Sequence, residues 1–213
     1  SGGISPTSAA DVVAGLGDRV DLVLDGGPCT VGLESTVVHV GPDGALTRLR
    51  PGAVTDAELA ELSGGAVRVP ARDPDAPRSP GMTARHYAPS TPFLALPAPL
   101  DALPADMRAR ALGDARNVGL LVWSGAHAPP DGLAGRAHGP RVTRLALTRA
   151  GDPHEAARRL FAVLRDLDAL GADRLLCEPC PPPGVPDAGL GHALRDRLSR
   201  ATTPLPGATP RDG

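Results

Sequence analysis

Two long stretches near the end of the chain space their apolar residues as helices do, and short apolar runs bounded by Gly or Pro fill the rest. In "DPHEAARRLFAVLRDLDALG", Leu160, Val163, Leu164 and Leu167 fall on one face and Gly171 provides a stop. "GLGHALRDRLSRA" predicts a last helix up to Ala201. Between and before them, "FLALPAPL", "NVGLLVW", "RVTRLAL" and "ADRLLCEP" are strand candidates, and strands alternating with helices predict a small parallel α/β unit. Upstream, "SPTSAADVVAGL" (5–16) predicts a capped helix, "VDLVLDGG" a short strand, and "ESTVVHV"–"GPDG"–"ALTRLRPG" a hairpin. "TDAELAEL" (55–62) has the cap and spacing of a closing helix.

Prolines interrupt this pattern from about residue 68 to 92, where "RVPARDPDAPRSPGMTARHYAPSTP" supports neither a ladder nor a helix. The expected organisation is therefore an ordered region at 1–67, an extended linker at 68–92, a second ordered region at 93–202, and a fraying tail at 203–213. Linker side chains are expected to lie outside the core.

Composition narrows the picture. The chain has 213 residues, 41% of them hydrophobic but only 2% aromatic, so its cores rest on Ala, Val and Leu and on many small contacts. Every basic residue is Arg and none is Lys, a bias that discounts any lone arginine as a functional signal. A net charge of −2 gives no bulk attraction for nucleic acid or an anionic membrane. Three Cys fit a reducing compartment, the cytoplasm by default, and no run approaches the ~20 apolar residues of a membrane span. The chain opens at Ser1 without Met and at full motif density, which reads as cut from something longer.

The candidate chemistry lies in the first 90 residues. Ser5, Thr7 and Ser8 beside glycines at a helix start suit an anion such as phosphate, or only cap the helix. "DGGPCTVGLESTVV" lacks the spacing and Lys of a P-loop. Glu34, Ser35 and Thr36 open a strand, where short hydroxyls hold a small polar ligand or simply face solvent. Arg50 in "LRPG" suits a phosphate clamp or a surface ion pair. Arg85, His86 and Tyr87 are poor filler for a linker. "CEPC" at 177–180 has only Cys29 besides, too few for a four-Cys zinc site, and reads as a buried strand Cys177 with an incidental Cys180. His127, His138, His154 and His192 are scattered and read as structural or surface residues.

In this order, "SPTSA", "LDGGPCTVGLESTVV", "LRPGAVT", "SPGMTARHYAP" and "HEAARRLFAVLRDLDALGADRLLCEP" resemble the L-threonylcarbamoyladenylate synthases of the long, two-domain form. The resemblance covers nearly the whole chain. It implies an α/β fold: part of a twisted open α/β catalytic domain, then the proline-rich linker acting as a lid, then a small Rossmann-like parallel α/β domain. It also implies formation of threonylcarbamoyl-AMP and pyrophosphate from ATP, bicarbonate and L-threonine, with the product passed to the machinery that modifies tRNA. Ser5 and His86 match positions near the nucleotide, Arg50 one at the ATP phosphates, and Ser35 one at L-threonine. Thr7, Thr36, Arg85 and Tyr87 follow as second-rank contacts. No metal is expected on protein ligands, and Mg²⁺ comes with ATP. Direct tRNA contact stays open.

The family's basic N-terminal half, with a Lys-x-Arg element and Ser-Ala-Asn, has no counterpart here. The expectation is a C-terminal fragment, inactive alone. The alternative is a noncatalytic nucleotide-binding or regulatory module that keeps the lid and the last domain. At the strand ends near Glu178, a topological switch point could hold a ligand, though no glycine fingerprint is present.

Overall fold

The computed structural model describes residues 2–70, 86–125, 139–186 and 188–207. Two sheets organise it. Strands β1 (Val37–Val40) and β2 (Leu46–Arg50) form an antiparallel hairpin, with Gly44 at φ 76° closing the turn that "GPDG" predicts. Helix α1 (Ala9–Leu16) precedes it and helix α2 (Asp56–Ser63) follows it. Both helices start on capping boxes, Ser8 with Asp11 and Thr55 with Glu58, in which the hydroxyl accepts an amide and the carboxylate accepts the cap amide. The predicted start of α1 at residue 5 is thus three residues early: Ser8 is the cap, and Pro6 lies before the helix.

The second sheet holds five parallel strands: β3 (Phe93–Ala95), β4 (Asn117–Ser124), β5 (Arg141–Thr148), β6 (Arg174–Cys177) and β7 (Thr203–Pro204), in the order β5-β4-β6-β3-β7. Helices α4 (Pro153–Asp168) and α5 (Leu190–Ala201) cover one face and α3 (Ala105–Leu112) the other. The pleat of β4 shows why: Leu121 and Trp123 join Leu160, Phe161 and Leu194 on the α4/α5 side, while Val118 and Leu120 join Leu103, Ala111 and Leu205 on the other. Asp152 caps α4 through the amides of His154 and Glu155, with Pro153 in its first turn. This is the parallel α/β arrangement that the alternation of strands and helices predicts.

Four expectations fail. "VDLVLDGG" forms no strand; Leu22 and Leu24 are 76% and 85% exposed, because no strand among the described residues lies alongside to complete a ladder. Helix α3 was not predicted, since "ADMRARAL" buries only Ala111 and so lacks an apolar stripe. The tail does not fray at Thr203: β7 pairs with β3, and Leu205 is buried beneath α3 with its amide bonded to Ala95. Finally, Tyr87 is core, 1% exposed, its ring 5.5 Å from that of Phe161. Residues 71–85 of the linker, with Arg85, and residues 208–213 of the tail lie outside the described residues.

The burial of Leu205 is directly testable. Leu205→Ala is expected to lower stability by about 2–4 kcal/mol, read from urea unfolding. An unchanged midpoint would mean that β7 contributes nothing to the sheet.

Candidate active site

The residues singled out from the sequence gather along the seam between residues 2–52 and helices α4 and α5. Two arginines on those helices hold the seam together. Arg165 of α4 donates to the Ser5 carbonyl (2.8 Å), the Thr7 hydroxyl (2.9 Å) and the Asp11 carboxylate (2.6 Å). Arg197 of α5 is fully buried; its Nε donates to Glu34 Oε2 (2.9 Å), and its Nη atoms to the carbonyls of Pro51 (2.9 Å) and Glu34 (3.2 Å) and to Asp196 (2.9 Å). Gly32 lets the loop seat on α4, since a Cβ there would collide with the backbone of Ala157 and Arg158.

Glu34 is the hub. Its second oxygen accepts from the Ser5 hydroxyl at 2.6 Å. Burial alone would push its carboxyl up, but the hydrogen bonds from Ser5 and Arg197, with the Arg197 charge, outweigh that and hold it below the ordinary glutamate value. Ser35, next in the chain, is exposed, and its carbonyl accepts from Arg50 Nε at 3.1 Å. Arg50 itself is only 9% exposed and forms further interactions, so it is no loose surface ion-pair partner. The Thr36 hydroxyl is spent on the Val54 carbonyl (2.9 Å), and the Thr7 hydroxyl bonds Asp11 and Arg165. Gly52 packs so tightly on Ser35 and Thr36 that no side chain fits there.

His86 and Tyr87 close this group. The His86 amide donates to the Arg200 carbonyl (3.2 Å), and the Ala88 amide to that of Gly2 (3.2 Å). Tyr87, at φ 65°, is the one non-glycine residue with positive φ among the described residues, a backbone conformation that a bulky residue adopts only under constraint. Its ring lies 4.0 Å from His86 and 5.7 Å from the Arg197 guanidinium. Two buried polar atoms, His86 Nδ1 and the Tyr87 hydroxyl, have no hydrogen-bond partner among the described residues. Each such vacancy costs about 1–3 kcal/mol. Burial, reinforced by Arg200 and Arg197 against the opposing pull of Glu34, lowers the His86 pKa and so favours the neutral imidazole. Burial also raises the Tyr87 pKa, with Arg50 close enough to pull against it. An open cavity of about 550 Å³ lies nearby in the chain, lined by Gly2, Gly3, Ile4, Ala88, Pro89, Ser90 and Asp168, and none of Ser5, Ser35, Arg50, His86 or Tyr87 is among its lining residues.

The structure thus brings Ser5, Ser35, Arg50, His86 and Tyr87 to one seam; the hydroxyls of Ser5, Thr7 and Thr36 are all bonded within the protein, and Arg85 is outside the described residues. Sequence reasoning missed Arg197 and Arg165. Arg197 had a signal: it falls on the stripe of Ala193, Leu194, Leu198 and Ala201, a cation on a buried face. Cys180 is buried like Cys177; the neighbouring Cys177 and then burial push the Cys180 thiol up, away from a reactive thiolate. Among the described residues no group of three or more His, Cys, Asp or Glu is placed to hold a metal, and no helix is long and apolar enough to cross a membrane.

Comparison with known proteins bears on this arrangement. The family model described as "Threonylcarbamoyl-AMP synthase, C-terminal domain" matches residues 54–203, and one described as "Telomere recombination" matches residues 1–52. Threonylcarbamoyl-AMP synthase of Pyrococcus abyssi is 31% identical over 209 residues, covering 95% of this chain and 55% of that protein. Its namesake in Schizosaccharomyces pombe is 32% identical over 216 residues, covering 93% and 49% respectively. The chain therefore spans about half the length of the curated relatives it matches. The crystal structure of P. abyssi Sua5 complexed with L-threonine matches with a TM-score of 0.67 at 29% identity, over 95% of this chain and 55% of that one. So does a variant of that protein in which a His and the Tyr after it are both Ala (TM-score 0.65, 28% identity, 95% and 54% covered).

The hub carries a prediction. Because the folded pKa of Glu34 is lowered, its contribution is whole above the ordinary glutamate value and is lost as the pH falls through the lowered one. Glu34→Gln is expected to cost about 1.5–3 kcal/mol at pH 7 in urea unfolding, with the gap to wild type narrowing as the pH is taken to about 3. Equal midpoints at pH 7 would remove Glu34 from the account.

Proposed function

This chain belongs to the threonylcarbamoyl-AMP synthase family, and we propose that it forms the C-terminal portion of a long, two-domain enzyme of that family. The reaction is the condensation of L-threonine, bicarbonate and ATP into threonylcarbamoyl-AMP with release of pyrophosphate, and the product passes to the machinery that builds threonylcarbamoyladenosine in tRNA. The observation that carries this reading is the pair of orphaned polar atoms on His86 and Tyr87, buried beside Ser5, Glu34 and Arg50. A ligand bearing hydrogen-bond donors and acceptors satisfies them.

In this reading Arg50 holds the ATP phosphates, His86 and Ser5 face the nucleotide, and Ser35 faces L-threonine, the amino acid with which the P. abyssi relative is complexed. Attack of a carbamate oxygen on the α-phosphorus builds negative charge, which a buried, prealigned guanidinium stabilises better than water does. Neutral His86 donates or accepts one hydrogen bond without adding charge. Tyr87 walls off the site, and Thr7, Thr36 and Arg85 support it. Closure of the linker over the labile carbamate keeps water out. Mg²⁺ arrives with ATP as part of the substrate.

The test is threonine-dependent pyrophosphate release from ATP and bicarbonate. Residues 1–213 alone are expected to show none, and a fusion behind the N-terminal half of a relative is expected to restore it. An inactive, well-folded fusion would favour a noncatalytic module instead. In the active fusion, Arg50→Lys keeps the charge but loses the planar fork, and is expected to raise the Michaelis constant for ATP about ten- to a hundredfold. His86→Ala is expected to slow turnover several-fold or weaken ATP binding, and unchanged kinetics would remove the imidazole from the site.

A further inference from the structure

The five-stranded sheet has a second feature, remote from the seam. In the order β5-β4-β6-β3-β7, the chain leaves β4 for β5 on one side, whereas it leaves β6 for β7 on the other. Connections that diverge beyond the carboxyl ends of adjacent strands open a crevice, the usual ligand position in open parallel sheets. Here that crevice measures about 310 Å³, at the lower end of small-molecule sites. Its walls include Trp123 and Val122 from the end of β4, Pro99 from the loop after β3, and Pro179 and Pro182 from the loop after β6. The polar side chains set among them are Glu178 and Ser124, and of these only Glu178 carries charge.

Glu178 is half-satisfied. Its Oε1 accepts from the Leu100 amide at 3.0 Å, and no protein donor among the described residues reaches its other oxygen. The cation closest to hand, Arg144, is already committed to Asp101 at 3.2 Å. Burial pushes the Glu178 carboxyl up against the opposing influences of the Leu100 amide and Arg144, the mark of a carboxylate short of a counter-charge. No basic side chain lines the crevice among the described residues.

We propose that this crevice binds a small organic ammonium, its charge on the free oxygen of Glu178 and its apolar body against Trp123 and the prolines. A carboxylate in a partly dry pocket prefers a weakly hydrated organic cation to a strongly hydrated metal ion, and an indole face adds cation–π attraction. The geometry supplies one charge contact and apolar walls, which selects for amines over neutral isosteres of the same shape.

Trp123 is the one Trp in the chain and lines this crevice, so its fluorescence gives a single indole reporter at the site. Titrating residues 1–213 with benzylammonium chloride at fixed ionic strength is expected to give a saturable change, with a dissociation constant on the order of a few millimolar. Benzyl alcohol, the neutral isostere, is expected to bind at least tenfold more weakly. Glu178→Gln keeps an acceptor for the Leu100 amide, and is expected to abolish the preference for the amine while leaving the unfolding midpoint near that of wild type. Calorimetry on the same samples reads binding independently of the indole. Equal response to both compounds, a preference that survives in Glu178→Gln, or no binding by either method would overturn the proposal.

Discussion

A fully buried guanidinium with no carboxylate beside it is untenable in a protein interior, and Arg197 is buried completely. Its solution is to gather Glu34, Asp196 and two backbone carbonyls around one planar fork. The consequence reaches beyond the charge itself. Glu34 and Pro51 belong to the segment that carries Ser5, Ser35 and Arg50, whereas Arg197 belongs to a helix packed on the parallel sheet. Satisfying the cation therefore fixes the position of one part of the chain on the other. Losing one partner of such a buried pair leaves the other charge uncompensated, a penalty that a two-stranded hairpin and two short helices are poorly placed to absorb.

The rest of the site follows from that anchor. Tyr87 lies under the same guanidinium and against Phe161, so the end of the proline-rich segment is packed rather than tethered, and His86 is delivered to the seam by its bond to Arg200. Asp168 at the end of α4 accepts the amides of Ser90 and Thr91 and finishes the attachment. A helix pair that looks remote from the first 52 residues in the sequence thus sets the geometry of the residues proposed to meet nucleotide and threonine. The C-terminal unit acts as a positioning frame, and its own crevice at Glu178 gives a small amine a place to bind on that frame.

Much of this was legible in the sequence, and the failures share a cause. The hairpin was readable because "GPDG" specifies its own turn, and α4 because Leu160, Val163, Leu164 and Leu167 bury themselves on one face whatever lies opposite. Ser5, Arg50 and His86 stood out through the motifs around them. What could not be read locally were features decided by a distant partner. "VDLVLDGG" has strand composition but no neighbour among the described residues, Leu205 is buried only because β3 offers an edge, and Tyr87 is core only because α4 and α5 present Phe161 and Arg197 to it. Arg197 was discounted because every cation in this chain is Arg, although its place on an apolar stripe distinguished it.

Hydrogen–deuterium exchange on Arg197→Met, compared with wild type, tests the anchoring role most directly, because Met preserves the volume and removes the fork. The account predicts that amides of β1, β2 and the Ser5–Asp11 region lose protection while those of β4, β5 and β6 keep theirs. Unchanged protection in the hairpin, or a loss spread equally over the parallel sheet, would contradict it.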